Sequence, residues 1–154
     1  MLGLNYLGKM GQLGNQMFQY AALKGIATKH NYQWCIPNHK QVVDDGIGNK
    51  LRIELFDCFK LESAQAFGML HNGHAPVVEE KHFHFDSNLF ELCPDEISLA
   101  GYFQSEKWFK HIEKDIRKDF QFHDEILSKL VQLLYFQMIQ IGVNNKKYLV
   151  MIIY

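Results

Sequence analysis

Gly8, Gly11 and Gly14 stand three residues apart and lead directly into Asn15-Gln16. These residue types suit a turn that offers backbone N–H groups to an anion. The spacing reads G-x-x-G-x-x-G and not G-x-G-x-x-G, and no Gly-Lys-Ser/Thr follows, so neither the dinucleotide fingerprint nor the P-loop is present. Glycine admits backbone angles closed to other residues and lets a ligand come close. Asn15 has the side chain of a helix N-cap. The apolar run Leu2–Leu7 predicts a strand over about 2–8, and Met17, Phe18, Ala21, Ala22 and Ile26 predict the core face of a helix over about 15–30. A strand that turns on glycine into a helix is how α/β proteins present amides to phosphate. A plain βα turn capped by asparagine fits the same residues.

A second segment, Gly101 to Phe109, reads GYFQSEKWF and follows the strand-like Ile97-Ser98-Leu99. Ser105 is placed to cap a helix over 105–118. Trp108, Ile112, Ile116 and Phe120 recur every four residues, with Glu106/Lys110 and Glu113/Arg117 paired on the other side. Tyr102, Phe103, Trp108 and Phe109 read most simply as core aromatics.

Taken together, GQLGNQMFQYAAL at 11–23, the F-x-L element Phe59-Lys60-Leu61, and GYFQSEKWF at 101–109 resemble the N-terminal half of glycosyltransferase family 11, the bacterial α-1,2-fucosyltransferases. The resemblance covers roughly residues 2 to 127. It implies an α/β, Rossmann-like domain that is one half of a GT-B architecture. It also implies inverting transfer of L-fucose from GDP-fucose to a galactoside hydroxyl, with no obligatory metal or other cofactor. In related protein O-fucosyltransferases the asparagine of a similar loop contacts the donor diphosphate. That role falls by resemblance on Asn15, with Gly11, Gly14 and Gln16 shaping the substrate-binding loop.

The family's H-x-R-R-x-D motif is absent, so no catalytic residue is assigned. Its arginine would neutralise charge on the departing diphosphate, which is usually the largest catalytic term. Arg52 and Arg117 are the arginines of this chain, and neither has the flanking His and Asp. After about Leu127 the sequence drifts into QLLYFQMIQIGVNNKKYLVMIIY. Residues 1–127 are therefore expected to form the Rossmann-like domain and 128–154 an aberrant or truncated tail. On that expectation the chain is inactive as a transferase alone. The alternative is a non-catalytic α/β module that binds a nucleotide-sugar or glycan, or docks on a separately encoded C-terminal half.

The elements needed to position these residues follow from pattern. Gln33–Ile36 predicts a second strand stopped by Pro37, and 38–50 a polar loop containing Asp44-Asp45-Gly46. Leu51–Leu61 gives an apolar helix or turn, and 62–78, with Gly68, Gly73 and Pro76, a mobile connection. Phe83 and Phe85 alternate with His82 and His84 as a short strand. Strands alternating with helices predict a parallel sheet.

Composition bounds the function. With 154 residues and 47% hydrophobic content the chain suits one core. Sixteen basic against 17 acidic residues provide no field for nucleic acid. Cys35, Cys58 and Cys93 are odd in number and lack a C-x-x-C, which fits reduced thiols in a cytoplasmic protein. No signal peptide is apparent. Leu130–Ile141 is broken by Gln132, Gln137 and Gln140, too short for a span, so any membrane association is expected to be peripheral. Asp44-Asp45 has the wrong spacing for a D-x-D metal site. His71, His74, His82 and His84 lack a cysteine pair or H-E-x-x-H, so no metal is assigned. Glu106 and Asp86 are candidate bases toward a hydroxyl.

Overall fold

The computed structural model describes residues 1–37, 42–44, 50–61 and 68–140. The chain divides into two compact units, Met1–Gln121 and Phe122–Tyr154.

The first unit runs β1 (Leu2–Gly3), α1 (Leu13–His30), β2 (Trp34–Cys35), β3 (Val42–Asp44), β4 (Lys50–Arg52), α2 (Leu55–Cys58), β5 (Val77–Glu79), α3 (Ser87–Leu92), β6 (Ile97–Ala100) and α4 (Glu113–Asp119). Short 3-10 turns occupy Leu70–Gly73, Glu106–Trp108 and Lys110–Ile112. Four strands form a parallel sheet in the order β2-β1-β6-β5. The mixed α/β class and the parallel sheet agree with the sequence pattern.

Several elements differ from expectation. The first strand is only Leu2–Gly3, because the chain turns at once: Leu7 N–H donates to Leu4 and Lys9 N–H to Tyr6. The expected polar loop over 38–50 contains β3, which pairs antiparallel with β4; Asp45 and Gly46 lie outside the described residues. The connection over 62–78, of which 62–67 lie outside them, leads into an edge strand of the parallel sheet, β5. The expected strand at Phe83 and Phe85 is instead a series of bends. The helix expected over 105–118 is two 3-10 turns followed by α4, with a joint at Phe109 (φ −136°, ψ 6°).

Helix α1 is the spine of the unit. It was expected to be amphipathic, yet every residue from Tyr20 to Ala27 is buried, as befits a helix covered on all sides. Gly25 permits this. A Cβ there would collide with the Trp108 carbonyl oxygen and come within 3.0 Å of Phe109 Cα. Trp108 and Phe103 are fully buried, their rings edge to face at 5.4 Å; burial of Phe103 contributes about 1.5–3 kcal/mol, while Trp108 Nε1 is buried without a partner among the described residues. Ile112 and Ile116 continue the stripe, as their spacing predicts. Lys24 crosses from α1 to Asp119 at the end of α4 at 2.7 Å, with the Tyr20 hydroxyl donating to the same oxygen at 2.9 Å.

The second unit contains α5 (Asp124–Gln140), so the boundary expected at 127 falls inside a helix. Asp124 and Glu125 lie in its first turn, where carboxylates complement the helix dipole, and Lys129 pairs with Glu125 at 2.7 Å. Among the described residues no helix is long and apolar enough to cross a membrane.

Candidate functional site

Because β1 and β6 are parallel neighbours, the chain leaves both at the same edge of the sheet. The glycine loop before α1 and the loop Gly101–Ser105 therefore lie side by side. Open parallel sheets hold their ligands outside this carboxyl edge.

The start of α1 is built from distant residues. Gln12, not Asn15, occupies the N-cap position, and its side chain makes no capping bond. Glu54 supplies the cap: its Oε2 accepts from the Leu13 amide at 2.9 Å. Gln16 closes the exchange by accepting from the Glu54 amide at 2.7 Å. Its Nε2 donates to the carbonyls of Arg52 at 2.9 Å and Gly11 at 3.3 Å. Gln16 is buried, and both of its polar atoms hold the turn together.

Asn15 and Gln19 join the two sequence segments. The Asn15 Oδ1 accepts from Gln104 Nε2 at 2.7 Å. One turn further along α1, Gln19 Nε2 donates to Gly101 O at 2.9 Å and to Met10 O at 3.1 Å. Gln19 Oε1 is buried without a partner among the described residues. Gly11 adopts φ +79°, and any Cβ on it would strike the Asn15 side chain. Gly14 differs: it is exposed, and a Cβ added there meets nothing within 4 Å.

Of the four residues assigned to substrate, Gly11, Asn15 and Gln16 thus interlock, while Gly14 faces open space. The first-turn amides of a helix lack carbonyls one turn earlier and carry the positive end of its dipole. Glu54 already answers the Leu13 amide with negative charge. Beside it, the exposed Gly14 puts no side chain over its own part of the turn.

A cleft of about 840 Å³ opens beside this turn. Tyr6 and Met10 line it from the glycine loop, Gly101 and Tyr102 from the end of β6, and the segment 79–84 from the end of β5. Glu80 fastens two of its walls. Its carboxylate accepts from the amides of Tyr102 at 2.8 Å and Phe103 at 3.0 Å. Phe103 has φ +51°, so these successive amides form a small anion-binding concavity that Glu80 fills. Tyr102 is therefore not a core residue as expected; it is half-buried and lines the cleft. Beyond it Phe83 is 74% exposed, and His82 and His84 stack at 4.9 Å with rings 1° from parallel.

Other candidates take structural parts. Asp86 caps α3, accepting from Asn88 and Leu89. Glu106 pairs with Lys110 at 3.3 Å on an exposed turn that Ser105 caps. His71 meets Glu96 at 2.9 Å. Arg52 pairs with Asp57 and Arg117 with Glu113, and neither arginine lines the cleft. Among the described residues no group of three His, Cys, Asp or Glu side chains could hold a metal ion. Burial raises the thiol pKa of Cys93 to about 11, with Asp95 adding to it.

Sequence reasoning missed Gln19, Glu54 and Glu80. Gln16 and Gln19 did leave a signal. They sit three apart on one face of a helix otherwise rich in small and apolar residues, and long amides so placed need partners. Comparison with known proteins gave no matching family model, no matching curated protein and no matching solved structure.

Proposed function

We propose that this chain is the Rossmann-like, N-terminal half of a GT-B glycosyltransferase that moves L-fucose from GDP-fucose to a galactoside hydroxyl in an α-1,2 linkage with inversion. One observation carries the reading. The two segments that resemble family 11, more than eighty residues apart, meet at the carboxyl edge of a parallel sheet through Asn15–Gln104 and Gln19–Gly101. On this reading the amides of Gly14 and Asn15 receive the diphosphate, and the cleft beside them receives the acceptor. The arginine that stabilises the leaving group belongs to a complementary half, so this chain alone turns over little or no donor. No metal takes part. Holding hydroxyl and anomeric carbon in line between two domains can itself remove several kcal/mol of barrier.

Calorimetric titration with GDP-fucose tests this. The chain is expected to bind it, and Gly14→Glu, which sets a carboxylate on the open side of the turn, to weaken binding while the melting temperature moves little. Absence of binding by the unaltered chain defeats the reading. Glu54 favours a second one. Its carboxylate already sits on the first amide of α1, which suits a non-catalytic glycan-binding or docking module better than a phosphate site. Glycan binding without GDP-fucose binding would select that module.

A further inference from the structure

A second concavity shares no lining residue with the cleft. It is a shallow dish of about 580 Å³ lined by Lys29, Phe85, Phe90, Lys107, Lys110 and His111. Three ammonium groups, from the end of α1 and from the two 3-10 turns, gather here in a chain whose 16 basic residues are outnumbered by 17 acidic ones. Like charges brought together repel, and no carboxylate is among the lining residues. The neighbouring carboxylates are engaged. Asp86 caps α3, while the exposed Glu91 and Glu106 pair with Lys29 at 2.8 Å and with Lys110 at 3.3 Å. Lys107 has no carboxylate partner among the described residues; its ammonium lies 5.8 Å from the centre of the Phe85 ring. Lys29 lies over Phe90 in the same way at 4.9 Å.

The floor is anchored. Phe85 and Phe90 meet at 5.4 Å and rest on the fully buried Trp108 at 4.7 and 6.0 Å. His111 Nε2 donates to the Gly25 carbonyl at 3.1 Å, which holds that ring at the wall. An aromatic face covers one side of an ammonium and leaves N–H donors on the others. Exposed ion pairs such as Lys29–Glu91 and Lys110–Glu106 are weak and give way to a better acceptor. What fits is compact, multiply charged and rich in acceptor oxygens. A carboxylate brings one charge and two oxygens, whereas a phosphomonoester brings nearly two charges and three oxygens. We infer that this dish is a binding site for a phosphomonoester, in which Lys107 is the central ammonium and Lys29 and Lys110 leave their carboxylates to join it. The half-buried rings of the floor receive the apolar part of the ester. The inference is independent of the transferase reading, which assigns the diphosphate to the glycine loop.

Amide NMR titration of the full chain with phenyl phosphate, at constant ionic strength, tests the inference. Saturable shifts are expected at Phe85, Phe90, Lys107 and Lys110. Lys107→Gln is expected to weaken binding about tenfold, the scale of one charge-assisted hydrogen bond. Lys107→Arg is expected to bind within about threefold, because the charge is kept. Lys107 is exposed, so both variants should fold, and unchanged signals from the parallel sheet confirm that. Inorganic phosphate is expected to bind several-fold more weakly, since the apolar floor adds only to the ester; equal binding would overturn the assignment to an ester. Absence of saturable shifts overturns the inference, as does full-strength binding by Lys107→Gln. Benzyl alcohol moving the same signals as strongly would also overturn it, by making the dish an apolar pocket. So would shifts confined to residues 11–15, which send the phosphate to the start of α1 instead.

Discussion

Two neighbouring regions of the carboxyl edge use their side chains in opposite ways. In the floor, formed by the glycine loop and the Gly101–Ser105 loop, Asn15, Gln16, Gln19 and Glu80 are committed to protein partners. On the rim, formed by 81–84 with Tyr6 and Tyr102, rings and charges line the cleft, and Phe83 is 74% exposed. The residues that stand out in the sequence are thus largely those that build the edge. Residues of plain appearance occupy the places a ligand would touch.

Gln19→Ala puts the heaviest load on that contrast. It leaves the carbonyls of Met10 and Gly101 without their shared donor, and a loss of about 2–4 kcal/mol is expected in urea unfolding. A loss under half a kcal/mol would mean the floor is not held by its glutamines. Glu80→Ala comes next. It uncaps the amides of Tyr102 and Phe103, with an expected cost of about 1.5–3 kcal/mol and collapse of the Tyr102 wall, visible as shifted NMR signals for residues 100–104.

How much of this was legible depends on distance along the chain. Ser105 as a cap and the Glu106/Lys110 and Glu113/Arg117 pairs were readable because each partner lies within one helical turn. The stripe Trp108, Ile112, Ile116 was readable even though its helix is broken, since 3-10 turns keep much of the same face. Asn15 was misread as a cap because the true cap, Glu54, lies 41 residues beyond the Leu13 amide that it accepts from. Strand β5 was hidden in Val77-Val78-Glu79 among turn-forming residues, and its pairing with β6 leaves no local trace. His82 to Phe85 showed the opposite failure. Alternation without a partner strand does not make a strand.

Two smaller effects sharpen the contrast. Gln104→Ala removes a single exposed contact to Asn15 and should cost only about 0.5–1 kcal/mol. A larger loss would place the junction of the two segments, not Gln19, at the centre of the floor. Phe83→Ala should change stability by less than about 0.5 kcal/mol, measured by thermal unfolding. A clear destabilisation would make the rim part of the structure after all.

The strand order β2-β1-β6-β5 also has a consequence for synthesis. β1 finds β2 as soon as α1 has formed, but its other edge waits for Ile97–Ala100, roughly ninety residues later and about five to twenty seconds at ribosomal speed. During that interval the nascent chain carries an open parallel edge beside an apolar helix, the kind of surface that pairs with the wrong strand. The centre of this sheet is the last part to close, so the exposure to wrong pairing ends only when Ile97–Ala100 docks between β1 and β5.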